Sequence, residues 1–175
     1  MFQVGELVIY GNTGVCMVTG VSEQSLGESR DTRLYYELKP YFKKDSRIMT
    51  PVDNSKVPIR RILNEDEARA LIREMPEIDT LMIENDKIRE TRYKECIRSA
   101  DCRQWISIIK TLYQRRMERQ RQGKRMTATD ERYLRQAQDY LYSELSIPLK
   151  VPREEMEHFI TVNIENRVQP EAAPI

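Results

Sequence analysis

The chain contains few of the residues on which catalytic and metal sites depend. Its 175 residues include one histidine, His158, and three cysteines, Cys16, Cys96 and Cys102. No two cysteines have the Cys-x-x-Cys spacing of a zinc or redox site, so we expect buried, reduced thiols. His158 has no second histidine or cysteine near it, which predicts an exposed residue of a helix. The shortage argues against hydrolytic, transfer and metal-dependent chemistry, and we predict a protein that is not an enzyme, with no metal and no cofactor.

Glycine is scarce as well, and long apolar runs are absent. The six glycines form neither G-x-x-x-x-G-K-[ST] nor G-x-G-x-x-G, the loops that cradle phosphates, which argues against nucleotide hydrolysis. No window approaches the roughly 18 consecutive apolar residues of a membrane-spanning helix, and the N-terminal segment has no signal-peptide pattern. We therefore expect a cytoplasmic protein with no membrane contact and no small-molecule substrate.

The first 60 residues are rich in β-forming residues and are divided by turns. A turn with two glycines is indicated at 11–14, and a polar stretch covers 22–32. Short strands separated in this way predict a small antiparallel barrel or a strongly twisted sheet. The candidate strands are 7–10, 15–18, 34–38 and 47–50.

Near residue 63 the spacing of apolar residues changes to that of helices. Asn64 followed by Glu67 is a capping-box pattern, and it predicts a first helix that ends at Pro76. Four further helices are predicted, over 86–98, from Asp101 with Gln104 as its reciprocal partner to Gly123, from Thr127 to Pro148, and from Pro152 onward.

The change of period indicates two modules in an α+β chain, a small β-barrel followed by about five helices. The predicted domains are residues 1–62 and 63–165. A stretch rich in proline and alanine follows at 166–175, and we expect it to be disordered.

Positive charge is concentrated in one segment although the net charge is only +1. Between residues 110 and 125 only Glu118 opposes the cations. Such a cluster is suited to backbone phosphates, but cations at a helix C-terminus also match the helix dipole. The residues alone leave both interpretations open. The cations are Lys110, Arg115, Arg116, Arg119, Arg121, Lys124 and Arg125.

Two other features favour structural roles. The preceding helix carries Arg89, Arg92, Lys94 and Arg98 interleaved with glutamates, a pattern typical of a salt-bridged surface. Trp105 shares a helical stripe with apolar residues, so we predict a core position rather than a base-stacking side chain.

The opening segment 4–15, Val-Gly-Glu-Leu-Val-Ile-Tyr-Gly-Asn-Thr-Gly-Val, resembles the start of the CarD family of bacterial regulators, also called CdnL. The β module of that family is shared with the transcription-repair coupling factor. Two later segments resemble the same family's C-terminal domain in the same order: Ile-Ile-Lys-Thr-Leu-Tyr at 108–113 and Gly-Lys-Arg-Met-Thr-Ala-Thr-Asp-Glu-Arg-Tyr-Leu at 123–134. Together the matches extend over about residues 1–164.

The resemblance implies a Tudor-like N-terminal domain that docks on the RNA polymerase β subunit and a helical domain that lies on promoter DNA near the upstream edge of the melted bubble. Such a protein modulates the stability of the open complex at transcription initiation. It would be nucleoid-associated through polymerase, monomeric away from it, and would contact the DNA backbone largely without reading sequence.

The candidate site residues follow from this resemblance and from the charge pattern. For polymerase binding they form a candidate edge strand: Arg47, Ile48, Met49, Thr50 and Pro51. For DNA binding they are Arg89, Arg92, Arg115, Arg116, Arg119, Arg121, Lys124 and Arg125.

Two departures from the family pattern stand out. Family members place a tryptophan near the start of the second helix, where this chain has Glu-Asn-Asp-Lys at 84–87, and a basic residue where this chain has Met49. Two alternative functions stay open: an RNA-binding or ribosome-associated module, and a protein adaptor that binds no nucleic acid.

Overall fold

The structure is a computed structural model that describes residues 1–25 and 31–168. Within these ranges five strands precede five α-helices, which confirms the α+β class. The strands form one antiparallel sheet in the order β4-β3-β2-β1-β5. The described strands show no pairing between β4 and β5, so the sheet is open where a barrel was predicted. The strands are β1 (Leu7–Tyr10), β2 (Gly14–Ser25), β3 (Thr32–Pro40), β4 (Ile48–Pro51) and β5 (Ile59–Arg61).

The sequence prediction placed four strands and missed one. Residues 22–25 and Thr32, predicted as part of a polar turn, extend β2 and β3 instead, and residues 26–30 of that stretch lie outside the described residues. Polar residues form strand there because each pairs across the hairpin, for example Gln24 with Arg33. Strand β5 was missed because it has only three residues, two of them arginines, and shows no alternation.

Alternate residues of the strands form the core of the sheet. Val8, Cys16, Val18, Tyr36 and Leu38 are buried against one another, as the period of two in a strand requires. The turn between β1 and β2 depends on glycine. Gly11 has a positive φ of 44°, and a Cβ atom built there would lie 2.6 Å from Val57 Cγ1.

The helices agree with prediction at most of their starts and differ at their ends. Pro76 does not simply stop α1 but lies in a 3-10 turn, Met75–Glu77. Pro148 was predicted to end the fourth helix, yet it lies inside α4, which ends at left-handed Lys150 (φ 54°). The helices are α1 (Glu65–Glu74), α2 (Asp86–Arg98), α3 (Cys102–Arg121), α4 (Ala128–Leu149) and α5 (Arg153–Val168).

Helix α5 also corrects the predicted disordered tail. Residues 166–168, assigned to that tail, belong to the helix, and residues 169–175 lie outside the described residues.

Side-chain caps begin the helices where the sequence indicated. The Asn64 side chain accepts from Glu67 N and the Glu67 carboxylate accepts from Asn64 N, both at 2.9 Å, so the predicted capping box is confirmed. Asp101 caps α3 by accepting from Arg103 N at 2.8 Å. Gln104, predicted as the reciprocal partner, instead accepts from the Cys96 thiol at 3.3 Å.

The helical core contains the residues that the sequence assigned to it. Trp105 is fully buried, with its ring centroid 5.5 Å from that of Tyr140. The three cysteines are free and buried, and His158 is exposed on α5, as predicted. By contacts, the chain divides into two compact units. We call Met1–Ile62 with Arg98–Ala100 the β unit, and Leu63–Ile97 with the residues from Asp101 onward the helical unit.

Candidate functional site

Strand β4 is an edge of the sheet, and its pairing with β3 determines which backbone groups point outward. Val52 N donates to Leu34 O at 2.9 Å, so Leu34 and Val52 are a hydrogen-bonded pair. Hydrogen-bonded and non-hydrogen-bonded pairs alternate along antiparallel strands, which makes Glu37 with Met49 a non-hydrogen-bonded pair. The N–H and C=O of Met49, and the C=O of Pro51, therefore point away from β3.

The five predicted polymerase-binding residues differ in what they expose along this edge. The Met49 side chain is 44% exposed, whereas Thr50 is buried and Ile48 packs against the core of the sheet. Arg47 lies just before the strand and is well exposed, with its Nη1 3.6 Å from Glu37 Oε1. An outward partner would thus meet the Met49 backbone and side chain and the Arg47 guanidinium.

The basic segment of the helical unit ends α3 in a tight turn. Gly123, with a φ of 70°, donates its N–H to Gln120 O at 3.0 Å, and Lys124 N donates to Arg119 O at 2.8 Å. These two bonds form a Schellman motif, in which the left-handed position favours glycine. The chain then enters α4 at Thr127, whose side chain accepts from Asp130 N. We call residues 121–125 the α3–α4 turn.

The cations of the α3–α4 turn are open to solvent. Arg121, Lys124 and Arg125 are exposed, and within residues 1–25 and 31–168 no ion pair or side-chain hydrogen bond is found for them. Nearby, Arg116 lies over the Tyr113 ring at 5.4 Å, and Arg119 Nε donates to Arg125 O at 2.7 Å.

Two other cations of the same segment are held inside the fold. Arg115 Nε lies 2.6 Å from Asp130 Oδ2, and Asp130 is only 2% exposed. Arg115 Nη1 also lies 3.8 Å from Asp86 Oδ1. Lys110 Nζ donates to the carbonyls of Met75 at 3.0 Å and Pro76 at 3.2 Å, and to that of Ile78. These two side chains connect helices rather than face a partner.

Two arginines of α2, Arg89 and Arg92, also have partners in the helical unit. Arg89 Nε donates to Asp86 Oδ1 at 2.9 Å, and its Nη1 donates to Tyr93 OH at 3.1 Å. The hydrogen bond from Arg89, with the charges of Arg89 and Arg115, lowers the pKa of Asp86. Arg92 pairs with Glu95 at 2.8 Å. The eight predicted DNA-binding cations therefore fall into three groups. Three bind carboxylates (Arg89, Arg92 and Arg115), three are exposed (Arg121, Lys124 and Arg125), and two are half-buried (Arg116 and Arg119).

The sequence did not reveal which cations of the basic segment have carboxylate partners. Asp130 was explained by the dipole of α4, whereas its carboxylate binds Arg115 across fifteen residues of chain. No spacing rule connects two such positions, so only the packing of α3 against α4 reveals the pair.

Residues 1–25 and 31–168 contain no group of three or more His, Cys, Asp or Glu side chains arranged to hold a metal ion. None of the helices in this part of the chain has the length and apolar character needed to cross a membrane.

Comparison with known protein families gave two matches. The family model of the CarD-like/TRCF RID domain matches residues 2–63. The model of the CarD C-terminal domain matches residues 70–161. No curated protein matches the chain significantly.

Proposed function

Because the chain belongs to the CarD family, we propose that it binds the RNA polymerase β subunit through strand β4 and contacts promoter DNA through the α3–α4 turn. The family's domains indicate an RNA polymerase-interacting transcription regulator of a non-catalytic family. In this proposal residues 1–62 form the polymerase-binding domain and residues 63–165 the DNA-binding domain, and the chain is monomeric away from polymerase.

The β4 edge supports a strand-pairing mode of binding. An extended segment can add to an exposed sheet edge through main-chain hydrogen bonds, while side-chain contacts supply specificity. Met49 offers an outward N–H and C=O for such a strand, and its exposed side chain lies beside them. Pro51 offers no N–H, so the backbone hydrogen bonds between β4 and a partner strand would end there.

The α3–α4 turn supports contact with backbone phosphates. Arg121, Lys124 and Arg125 are the exposed cations of the turn, and Arg119 and Arg116 lie two and five residues before the last residue of α3. Phosphate contacts position a protein without reading bases, and their strength falls steeply with salt. We propose that Arg115, Arg89 and Arg92 act on DNA binding only through the fold, since their guanidinium groups already hold carboxylates.

Binding to polymerase makes weak contacts with DNA effective. A tethered basic turn meets nearby DNA at a high effective concentration, so modest, sequence-independent affinity is sufficient at a promoter. Simultaneous attachment to polymerase and to DNA would change how fast the melted DNA closes, and hence the lifetime of the open complex.

The observation that carries the proposal is the set of exposed cations at the α3–α4 turn, which form no ion pair with any residue that the structure describes. It is tested by the open-complex lifetime at one promoter, with the full chain and with the variant Arg121→Gln/Lys124→Gln/Arg125→Gln. The matched control, Arg69→Gln/Arg103→Gln/Lys150→Gln, removes the same charge from exposed positions elsewhere in the helical unit. We expect the control to behave as the unsubstituted chain and the turn variant to lose the effect. Equal lifetimes with the turn variant and the unsubstituted chain would refute the DNA contact.

The same proteins distinguish the two alternative functions. An RNA-binding module predicts that single-stranded RNA competes better than duplex DNA and that polymerase β is not retained in a pull-down. A protein adaptor predicts retention of polymerase β with no salt-dependent affinity for nucleic acid.

A further inference from the structure

The helical unit contains a cavity of about 380 Å³ between α3, α4, α5 and the turn Met75–Glu77. We propose that this cavity, which we call the α3–α5 cavity, binds a small, neutral, apolar molecule. The proposal is independent of the DNA and polymerase contacts described above, since it concerns only the interior of the helical unit.

The walls of the α3–α5 cavity are mostly apolar, and the cavity opens to solvent beside the exposed Glu157. Met75, Ile106, Ile109 and Leu141 line it, and each of them is at most 8% exposed. On the other side it is lined by Ile160 and Ile164 of α5, which are half-buried. A groove for a partner helix would present a row of apolar side chains that are well exposed to solvent, whereas the first four lining residues are buried, which favours a small molecule over a macromolecule.

The polar groups around the cavity already have partners. The Tyr113 hydroxyl donates to Glu157 Oε1 at 2.7 Å and accepts from Gln138 Nε2 at 2.8 Å. Burial, together with the Glu157 carboxylate, raises the pKa of Tyr113 to about 12, so this hydroxyl stays protonated at neutral pH. Lys110 Nζ donates to three backbone carbonyls.

These contacts determine the chemical class of the ligand. Both charged groups of the lining are already bound, the Lys110 ammonium by backbone carbonyls and the Glu157 carboxylate by the Tyr113 hydroxyl. A charged ligand would have to leave water and compete with these contacts, and a buried polar group without a hydrogen-bond partner is costly. A neutral apolar molecule avoids this cost and gains from contact with the isoleucine and leucine walls.

The volume sets the size of the ligand. Apolar cavities of roughly 150 Å³ stay dry and accept benzene, and pockets for larger ligands begin at about 300 Å³. At about 380 Å³ the α3–α5 cavity has room for a molecule of two or three fused or linked rings, or a short acyl chain.

The test uses N-phenyl-1-naphthylamine, a neutral apolar probe whose fluorescence rises in apolar surroundings, with the full chain in the absence of DNA and polymerase. We expect saturable binding of one probe per chain. Ile160→Trp places a larger side chain in the cavity, and we expect it to weaken binding at least tenfold. The matched control Met117→Trp changes an exposed residue of α3 outside the cavity lining, and we expect it to change the affinity less than twofold.

Methyl NMR locates the probe without any substitution. On saturation, the resonances of the lining residues Ile106, Ile109, Ile160 and Ile164 should shift, while those of Ile88 on α2 and Ile48 on β4 should stay unchanged. Absence of saturable binding, or shifts spread evenly over all isoleucines, would overturn the proposal. An Ile160→Trp chain that is folded by circular dichroism and binds the probe as tightly as the unsubstituted chain would overturn it as well.

Discussion

The β4 edge and the α3–α4 turn both face solvent, but the first presents backbone groups and the second presents charged side chains. Strand β4 offers the backbone groups of Met49, whose direction is set by pairing with β3. The α3–α4 turn offers three exposed cations, for which the described part of the chain supplies no ion-pair partner. Strand pairing demands register, whereas phosphate contact tolerates any sequence. From this difference we propose that the β unit selects the partner and that the helical unit acts on whatever DNA is then nearby.

The largest effect is expected on stability, at Arg115. This cation is close to the α3–α4 turn in sequence but is paired with a buried carboxylate. Arg115→Ala leaves the buried Asp130 carboxylate without its partner, and loss of one member of a buried pair costs on the order of 3 kcal/mol in the free energy of unfolding. Chemical denaturation followed by circular dichroism measures it. Arg121→Ala, the control, should change stability by no more than about 0.5 kcal/mol.

A stability loss that is equal in the two variants would mean that the partnered and exposed cations are not distinct. The basic segment could then no longer be divided into cations that stabilise the fold and cations that are free to bind DNA.

The second effect concerns the backbone at the β4 edge. Met49→Pro removes the outward N–H without removing a bond to β3, so the sheet should stay intact. A partner carbonyl left unpaired costs about 1 to 3 kcal/mol, which corresponds to roughly a 5- to 160-fold loss of affinity for a polymerase β fragment. Biolayer interferometry with the full chain measures it. Met49→Ala keeps the N–H and serves as the control. If Met49→Ala weakens binding as much as Met49→Pro, the side chain rather than the backbone carries the contact.

The third effect concerns charge at the turn. Each phosphate contact adds about 0.9 to the slope of log affinity against log salt, so replacement of Arg121, Lys124 and Arg125 by glutamine should reduce that slope by about three. Fluorescence anisotropy with a duplex DNA at several salt concentrations gives the slope. A slope that does not change would show that the exposed cations do not touch phosphates.

The smallest effect comes from an exposed carboxylate that holds the surfaces of α2 and α4 together. Glu90 Oε1 accepts from Tyr133 OH at 3.0 Å and lies 3.2 Å from Arg132 Nη2. The Tyr133 hydrogen bond, with the charge of Lys94, lowers the pKa of Glu90 below the 4.5 of an ordinary glutamate. A depressed pKa adds stability above the unfolded value, and this stability is lost as the pH falls through the folded value. Thermal unfolding should therefore depend less on pH below 4.5 in Glu90→Gln than in the unsubstituted chain, and identical profiles would contradict the assignment.

The sequence predicted the parts of the fold that depend on local chemistry. The capping box at Asn64 and Glu67 and the core position of Trp105 followed from neighbouring residues and helical spacing. Pro148 was misjudged because a proline near a helix end need not terminate it, and here the left-handed Lys150 does so. Strand β5 depends on pairing with β1, which no local pattern indicates.

The candidate sites were predictable only in part, for a similar reason. The concentration of cations between residues 110 and 125 is evident from composition, but their division depends on Asp130 and Asp86, which approach Arg115 only in the folded chain. Likewise, the segment 47–51 can be proposed as an edge strand, whereas the outward direction of the Met49 backbone requires the register with β3. The α3–α5 cavity had no sequence signal, because its walls look like the core faces of four ordinary elements.

The most direct test of the division of labour is a crossed binding measurement on the same preparations of full-length chain. Met49→Pro and Arg121→Gln/Lys124→Gln/Arg125→Gln are each titrated with a polymerase β fragment and with duplex DNA. The account predicts that Met49→Pro loses affinity for polymerase alone and that the turn variant loses affinity for DNA alone. Loss of both affinities in either folded variant, or of neither in both, would contradict it.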